Sequence, residues 1–175
     1  MVGDVQGQKP SGTTAARRSE PRCCNLYLAR YARQNHDSGG AKTFVAACVT
    51  APTRILGYYT ISPGAIAYAQ VPTSLTRRLG RYEVPVFRLG RLAVSRDMQG
   101  HRIGSALLFA AGRRALAVAT EVGGVGLAID AKDERAAGWY ARFGAIRLLD
   151  DKLRLVLPLA TIAEALGAGS PAPAR

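Results

Sequence analysis

Ten residues, Arg96-Asp97-Met98-Gln99-Gly100-His101-Arg102-Ile103-Gly104-Ser105, leave a strand-like run and open a long apolar segment. A turn rich in small residues at the start of a helix exposes several backbone N–H groups at the positive end of the helix dipole. That arrangement suits an anion, above all a pyrophosphate. The turn has neither the G-K-[ST] of a Walker loop nor a G-x-G-x-x-G. On its own the pattern reads better as a ligand-free turn that uses glycine for backbone reasons.

A second group is electrostatic. Arg77, Arg78, Arg81, Arg88, Arg91, Arg96 and Arg102 fall within one stretch opposed only by Glu83 and Asp97. Guanidinium forks bind phosphate in bidentate geometry, so Arg77, Arg78, Arg88 and Arg91 are candidate nucleic-acid contacts, with a solvated basic surface as the plain alternative. A third group, Trp139-Tyr140 with Phe143, reads from residue types alone as core packing.

The elements that must carry these groups fit one ordinary domain. The chain has 175 residues, is 48% hydrophobic and 21% charged, and sets 24 Lys and Arg against 12 Asp and Glu, a net charge of +12. Only Lys9, Lys42, Lys132 and Lys152 are lysines, so the surplus is arginine, which suits a polyanionic partner. Three cysteines, two of them adjacent, form neither a disulfide framework nor a zinc spacing, and no metal is expected. No secretory signal is recognised and no apolar run is taken as spanning a bilayer, so a cytoplasmic protein with no membrane partner is expected.

Residues 1–22 read as a flexible arm, 23–166 as the domain and 167–175 as a loose tail. Asn25–Gln34 has the pattern of an amphipathic helix, and Thr43–Thr50 with Ile55–Ser62 that of a hairpin. Pro63-Gly64 is expected to end the second strand, with Ala65–Gln70 as another. Pro85–Ser95 is extended, and Ile103 to about Val122 is a helix whose buried face is Ile103, Leu107, Ala111, Ala115 and Val118. Val125–Asp130 is a short, almost wholly apolar run, as in a parallel strand covered on both faces. A helix through Trp139 and Tyr140, one or two strands and a short helix complete an α/β (α+β) fold with a mixed central sheet. Cys48 is expected in the core.

This order of elements resembles the GCN5-related N-acetyltransferases (GNAT). The resemblance rests on Leu92-Ala93-Val94, on Gln99-Gly100-His101-Arg102-Ile103-Gly104-Ser105-Ala106-Leu107-Leu108 and on Trp139-Tyr140-Ala141-Arg142-Phe143-Gly144-Ala145. It implies acetyl-CoA as cosubstrate, a sheet with splayed parallel strands, Leu92, Ala93 and Val94 along the pantetheine arm, and Gln99 to Ser105 around the pyrophosphate. Where that loop ordinarily carries its first glycine, this chain has Arg102. The strings Tyr31–Asn35, Thr43–Val45, Leu56–Ser62, Val84–Val94 and Leu157–Thr161 are similar to the GNAT toxins of type II toxin–antitoxin modules. That similarity implies aminoacyl-tRNA as acceptor, translation arrest, a ribbon-helix-helix antitoxin and a homodimer.

An α-amine titrates near about 7.7–8.0, and lower beside an ester, so it needs little help to become a nucleophile. The reaction then needs alignment, an N–H for the developing oxyanion and a proton for the leaving thiolate. Under the resemblance, Tyr140 is the acid. Two alternatives stand beside this reading: the same fold acting on a small amine or protein N-terminus, and a non-catalytic domain that binds nucleic acid or a partner.

Overall fold

The computed structural model describes residues 2–4, 22–77 and 79–167. Its elements are β1 (Val2–Asp4), α1 (Arg22–Arg30), α2 (Ala32–Asp37), β2 (Lys42–Ala47), β3 (Ile55–Ile66), α3 (Thr73–Thr76), β4 (Val84–Val94), α4 (Ile103–Val122), β5 (Gly126–Asp130), α5 (Glu134–Ala141), β6 (Ile146–Arg147), β7 (Arg154–Pro158) and α6 (Leu159–Ala165). The strands hydrogen-bond in the order β1-β2-β3-β4-β5-β7-β6. The β4–β5 step is parallel, and the β1–β2, β5–β7 and β6–β7 steps are antiparallel. The expected mixed α/β sheet is therefore present. The chain forms two compact units, residues 1–60 with 91–107, and 61–90 with 108–175.

In the first unit, successive side chains of β3 point to opposite faces, and each tyrosine finds its own aromatic partner. Tyr58 stacks on Tyr27 of α1 with ring centroids 6.1 Å apart, and Tyr59 stacks on Phe44 of β2 at 5.1 Å. Tyr27, Ala32 and Tyr58 form a small core joined by Leu28, Val45 and Ala93. Gly57 is required by close approach: a Cβ there would lie 2.7 Å from the Ala93 carbonyl oxygen and 2.9 Å from Leu107 Cδ1. The carbonyl belongs to the backbone of β4 and cannot swing away. Gly57→Ala is therefore expected to destabilise the fold by about 1–3 kcal/mol, the usual cost of overpacking, read as a lowered midpoint in thermal unfolding.

In the second unit, the antiparallel register Leu127↔Leu157 and Ile129↔Leu155 joins the most deeply buried strands. Ile66, Val71, Val84, Val86, Leu148 and Val156 make a core cluster of this unit. The parallel ladder between β4 and β5 registers Phe87↔Leu127, Arg88↔Ala128 and Leu89↔Ile129. It stops there, although β4 continues to Val94.

Several expectations need correction. β3 runs unbroken through Pro63-Gly64 to Ile66, and Tyr68–Gln70 is a 3-10 turn instead of a strand. The hairpin closes with the Cys48 amide donating to the Arg54 carbonyl at 3.0 Å. That closure sets β2 beside the start of β3, and a proline inside a strand is tolerated where no ladder bond needs its missing N–H. The expected helix Asn25–Gln34 is two helices meeting at Tyr31. On α4 the buried residues are Leu107, Leu108, Ala111, Gly112 and Ala115, while Ile103 is half-buried and Val118 exposed. Cys48 is half-exposed at the hairpin end, not in the core, and the Thr50 hydroxyl beside it lowers its thiol pKa.

Within the expected N-terminal arm, Val2–Asp4 pairs with Phe44–Ala46 of β2. Three residues on a sheet edge need only ladder bonds and leave no apolar period to read. The rest of that arm before Arg22, and the tail from residue 168, lie outside the described residues. By length and hydropathy α4 alone among the described helices could cross a membrane, although no apolar run was expected to. Its inner stripe is committed to protein core, and Arg113 and Arg114 interrupt its middle.

Candidate active site

β4 ends at Val94, and the chain turns through the 3-10 segment Arg96–Met98 into α4. Two contacts hold this turn in the first unit. The Ser95 amide donates to the Leu56 carbonyl at 2.9 Å, and Arg54, at the hairpin end, forms an ion pair with Asp97. The Arg54 guanidinium also holds the Asp97 carboxyl below the usual aspartate range. Sequence reasoning did not find this pair, because 43 positions separate its members.

Beyond the turn, Gly100 is left-handed at φ +84 with nothing within 4 Å of a Cβ position, so the backbone there is open to an approaching group. Arg102 is left-handed as well, at φ 61, alone in this among the described residues other than glycine. Its carbonyl accepts from the Ala106 amide at 3.0 Å and from the Ser105 hydroxyl at 2.8 Å. The amides of Ile103, Gly104 and Ser105 meet no acceptor among the described residues. Gln99, Gly100, His101 and Arg102 are exposed, and Ile103, Gly104 and Ser105 half-exposed. The His101 ring lies 3.1 Å from the Gln99 carbonyl within the turn. Leu92, Ala93 and Val94, also half-exposed, lie on the part of β4 past the end of the β5 ladder.

Tyr140 belongs to the second unit, on α5. The Asp133 side chain caps that helix by accepting the Ala136 amide at 2.7 Å. Glu134 of its first turn is bound by Arg147 at 2.7 Å. The Tyr140 ring meets Trp139 edge-on at 4.9 Å, and Trp139 continues to Phe143 and Phe143 to Phe109. Only 9% of Tyr140 is exposed, and burial lifts its phenol to about 12. No side chain among the described residues hydrogen-bonds its hydroxyl.

Of the expected nucleic-acid contacts, Arg77, Arg88 and Arg91 are exposed, and Arg78 lies outside the described residues. The acids are used elsewhere: Asp97 on Arg54, Asp37 on Arg33, Glu134 on Arg147, and Asp130 and Asp150 on Arg154. No carboxylate pairs with Arg77, Arg88, Arg91, Arg96 or Arg102 among the described residues. Arg91 lies over the Tyr27 ring, 4.0 Å from its centroid.

Comparison with known proteins decides the family. The model of the acetyltransferase (GNAT) family matches residues 14–145. The chain belongs to the GNAT acetyltransferase family. This GNAT enzyme is an acetyl-CoA-dependent N-acetyltransferase. It is 34% identical over 131 residues to the tRNA-acetylating toxin of Mycobacterium tuberculosis, covering 75% of this chain and 76% of that one. Among solved structures it is similar to AtaT complexed with acetyl-methionyl-tRNAfMet (TM-score 0.76, 26% identity, 81% of this chain and 85% of that one). A tyrosine-to-phenylalanine mutant of KacT superposes with TM-score 0.74 at 28% identity, over 81% and 84% of the two chains. A similar mutant of AtaT, bound to the C-terminus of the antitoxin AtaR and acetyl-CoA, gives 0.69 at 25% identity, over 83% and 85%.

The residues of this GNAT acetyltransferase fit a coenzyme A diphosphate: unpaired amides at the start of a 20-residue helix, an open glycine and an exposed arginine converge on one turn. Acetyl-CoA supplies the activated acyl group. Arg102 makes a testable trade. A non-glycine left-handed residue costs roughly 1–2 kcal/mol, so Arg102→Gly is expected to raise the thermal midpoint of the free protein. The same change removes an exposed guanidinium from the turn and is expected to weaken acetyl-CoA severalfold in calorimetry. Unchanged affinity would show that the side chain does not reach the ligand.

Proposed function

We propose that this enzyme transfers the acetyl group of acetyl-CoA to the α-amino group of aminoacyl-tRNA in the cytoplasm, so acting as a translation-blocking toxin. The likeness to AtaT complexed with acetyl-methionyl-tRNAfMet, over 81% of this chain, carries the choice of acceptor. The unpaired arginines support it, since a small amine would leave them without a task.

In this reading the amides from Gln99 to Ser105, with Arg102, hold the diphosphate, and the backbone of Leu92, Ala93 and Val94 orients the pantetheine arm. Arg77, Arg78, Arg88 and Arg91 engage the tRNA. The neutral amine attacks the thioester carbonyl; the new C–N bond forms and the C–S bond breaks. Tyr140 gives its phenolic proton to the departing sulfur, and the proton shed by the amine restores the phenol through water. The phenol's raised pKa keeps that proton in place at neutral pH. A desolvated site raises the pKa of a departing thiol too, which narrows the gap between donor and acceptor.

The partner is a ribbon-helix-helix antitoxin, and the enzyme works as a homodimer. The likenesses to AtaT bound to the C-terminus of AtaR and to the KacTA–DNA complex support the antitoxin. A cell-free translation assay tests the whole reading. Arrest should require both the enzyme and acetyl-CoA and be relieved by freshly charged tRNA; arrest that proceeds without acetyl-CoA would refute it.

A further inference from the structure

Tyr27 stacks on Tyr58 in the core and carries Arg91 over its ring. Tyr58 is 2% exposed and Tyr27 4%, their rings stack 12° from parallel, and the Arg91 guanidinium caps Tyr27 at 4.0 Å. Arg91 itself is exposed and has no carboxylate partner among the described residues. A cation over a tyrosine face is held in place without neutralisation. Its planar guanidinium is therefore anchored on the Tyr27 ring while the residue stays exposed to solvent, a restrained plane that a second flat group can stack on. The next three residues are Leu92, Ala93 and Val94, the strand assigned to the pantetheine arm.

We propose that Arg91 is a platform on which the terminal nucleobase of the tRNA acceptor end stacks. This rests on the aminoacyl-tRNA reading above. The amine to be acetylated is esterified to the terminal ribose, so the base on that ribose is the planar group nearest to it. Stacking of unpaired bases on aromatic and guanidinium planes is a general mode of single-strand recognition. Because every tRNA presents that end, the platform places the amine without selecting the amino acid.

The test separates stacking from phosphate binding. Wild type, Arg91→Lys and Arg91→Gln are compared on a charged tRNA that wild type acetylates. Lysine keeps the positive charge over Tyr27 but has no plane. Both variants should raise KM for charged tRNA about tenfold, within the range for losing one stacked base, and leave KM for acetyl-CoA unchanged. Arg91→Lys keeps a cation over Tyr27 and should keep the thermal midpoint, while Arg91→Gln loses that contact and should lower it slightly. The slope of log kcat/KM against log salt should stay at the wild-type value. An Arg91→Lys enzyme within twofold of wild type overturns the platform, as does a slope reduced by about 0.7, the signature of one lost phosphate contact. If wild type acetylates no charged tRNA, the acceptor reading fails and the platform fails with it. If wild type acts and only the Arg91→Lys result disagrees, the acceptor reading stands.

Discussion

Tyr140→Phe is expected to lower kcat for acetyl transfer by about 10²–10⁴-fold, the usual weight of a positioned proton donor, while KM for acetyl-CoA stays within about twofold. Phenylalanine keeps the ring that packs edge-on against Trp139, so α5 and its Asp133 cap stay as they are. The hydroxyl alone is removed, and a large loss of rate with an unchanged thermal midpoint would therefore measure proton donation and not packing.

The pH profile adds a second reading of the same group. The rate should rise with pH as the α-amine loses its proton, near or below about 7.7–8.0. It should then stay level through pH 9.5, because burial pushes Tyr140 up to about 12. The sign for stability agrees. A pKa raised from 10.0 on folding gives stability that is full below pH 10 and is lost as pH climbs toward 12. Tyr140→Phe should remove that alkaline loss. A variant that retains the wild-type rate would exclude Tyr140 as the acid.

The second large effect concerns the acceptor. Replacing Arg77 and Arg88 together with glutamine is expected to raise KM for charged tRNA about tenfold. It should also flatten the dependence of log kcat/KM on log salt by about 1.4–1.8, two phosphate contacts at roughly 0.7–0.9 each. Both residues are exposed and have no carboxylate partner among the described residues, so the exchange removes charge without opening a buried ion pair. Activity on a small primary amine should be unaffected. Loss of activity on both acceptors would mean that the two arginines serve the fold or the cofactor, and an unchanged salt slope would return them to the category of solvated surface.

How far the chain could be read from sequence differs from element to element. α4 was placed from Ile103 to Val122 because a twenty-residue apolar period between a polar turn and Gly123-Gly124 is a local signal. β5 was legible for the same reason: a short, almost wholly apolar run fits a strand buried on both faces. β3 was cut short at Pro63 because the consequence of a proline depends on which neighbour needs its donor, a fact of register and not of sequence. Val118 was assigned to the buried face by helical spacing, yet the packing selects Leu108 instead. β1 left no trace because three edge residues need no pattern.

At the site, the turn from Arg96 to Ser105 was visible as a turn. The left-handed conformation of Arg102 was not, since residue type argues against it. Arg54–Asp97 and Tyr27–Arg91 join distant positions and lie beyond any local rule. Gly57, which leaves room for the Ala93 carbonyl, was not singled out, since the approach is set by a strand distant in sequence.

The most direct measurement of the central claim is transfer of labelled acetyl from acetyl-CoA in a mixture of total charged tRNA, uncharged tRNA and cellular protein. The account predicts label on charged tRNA alone, released by mild alkali as an N-acetylated amino acid because the linkage broken is the aminoacyl ester. Label that resides on protein or small amines, or that survives on tRNA after deacylation, would contradict it.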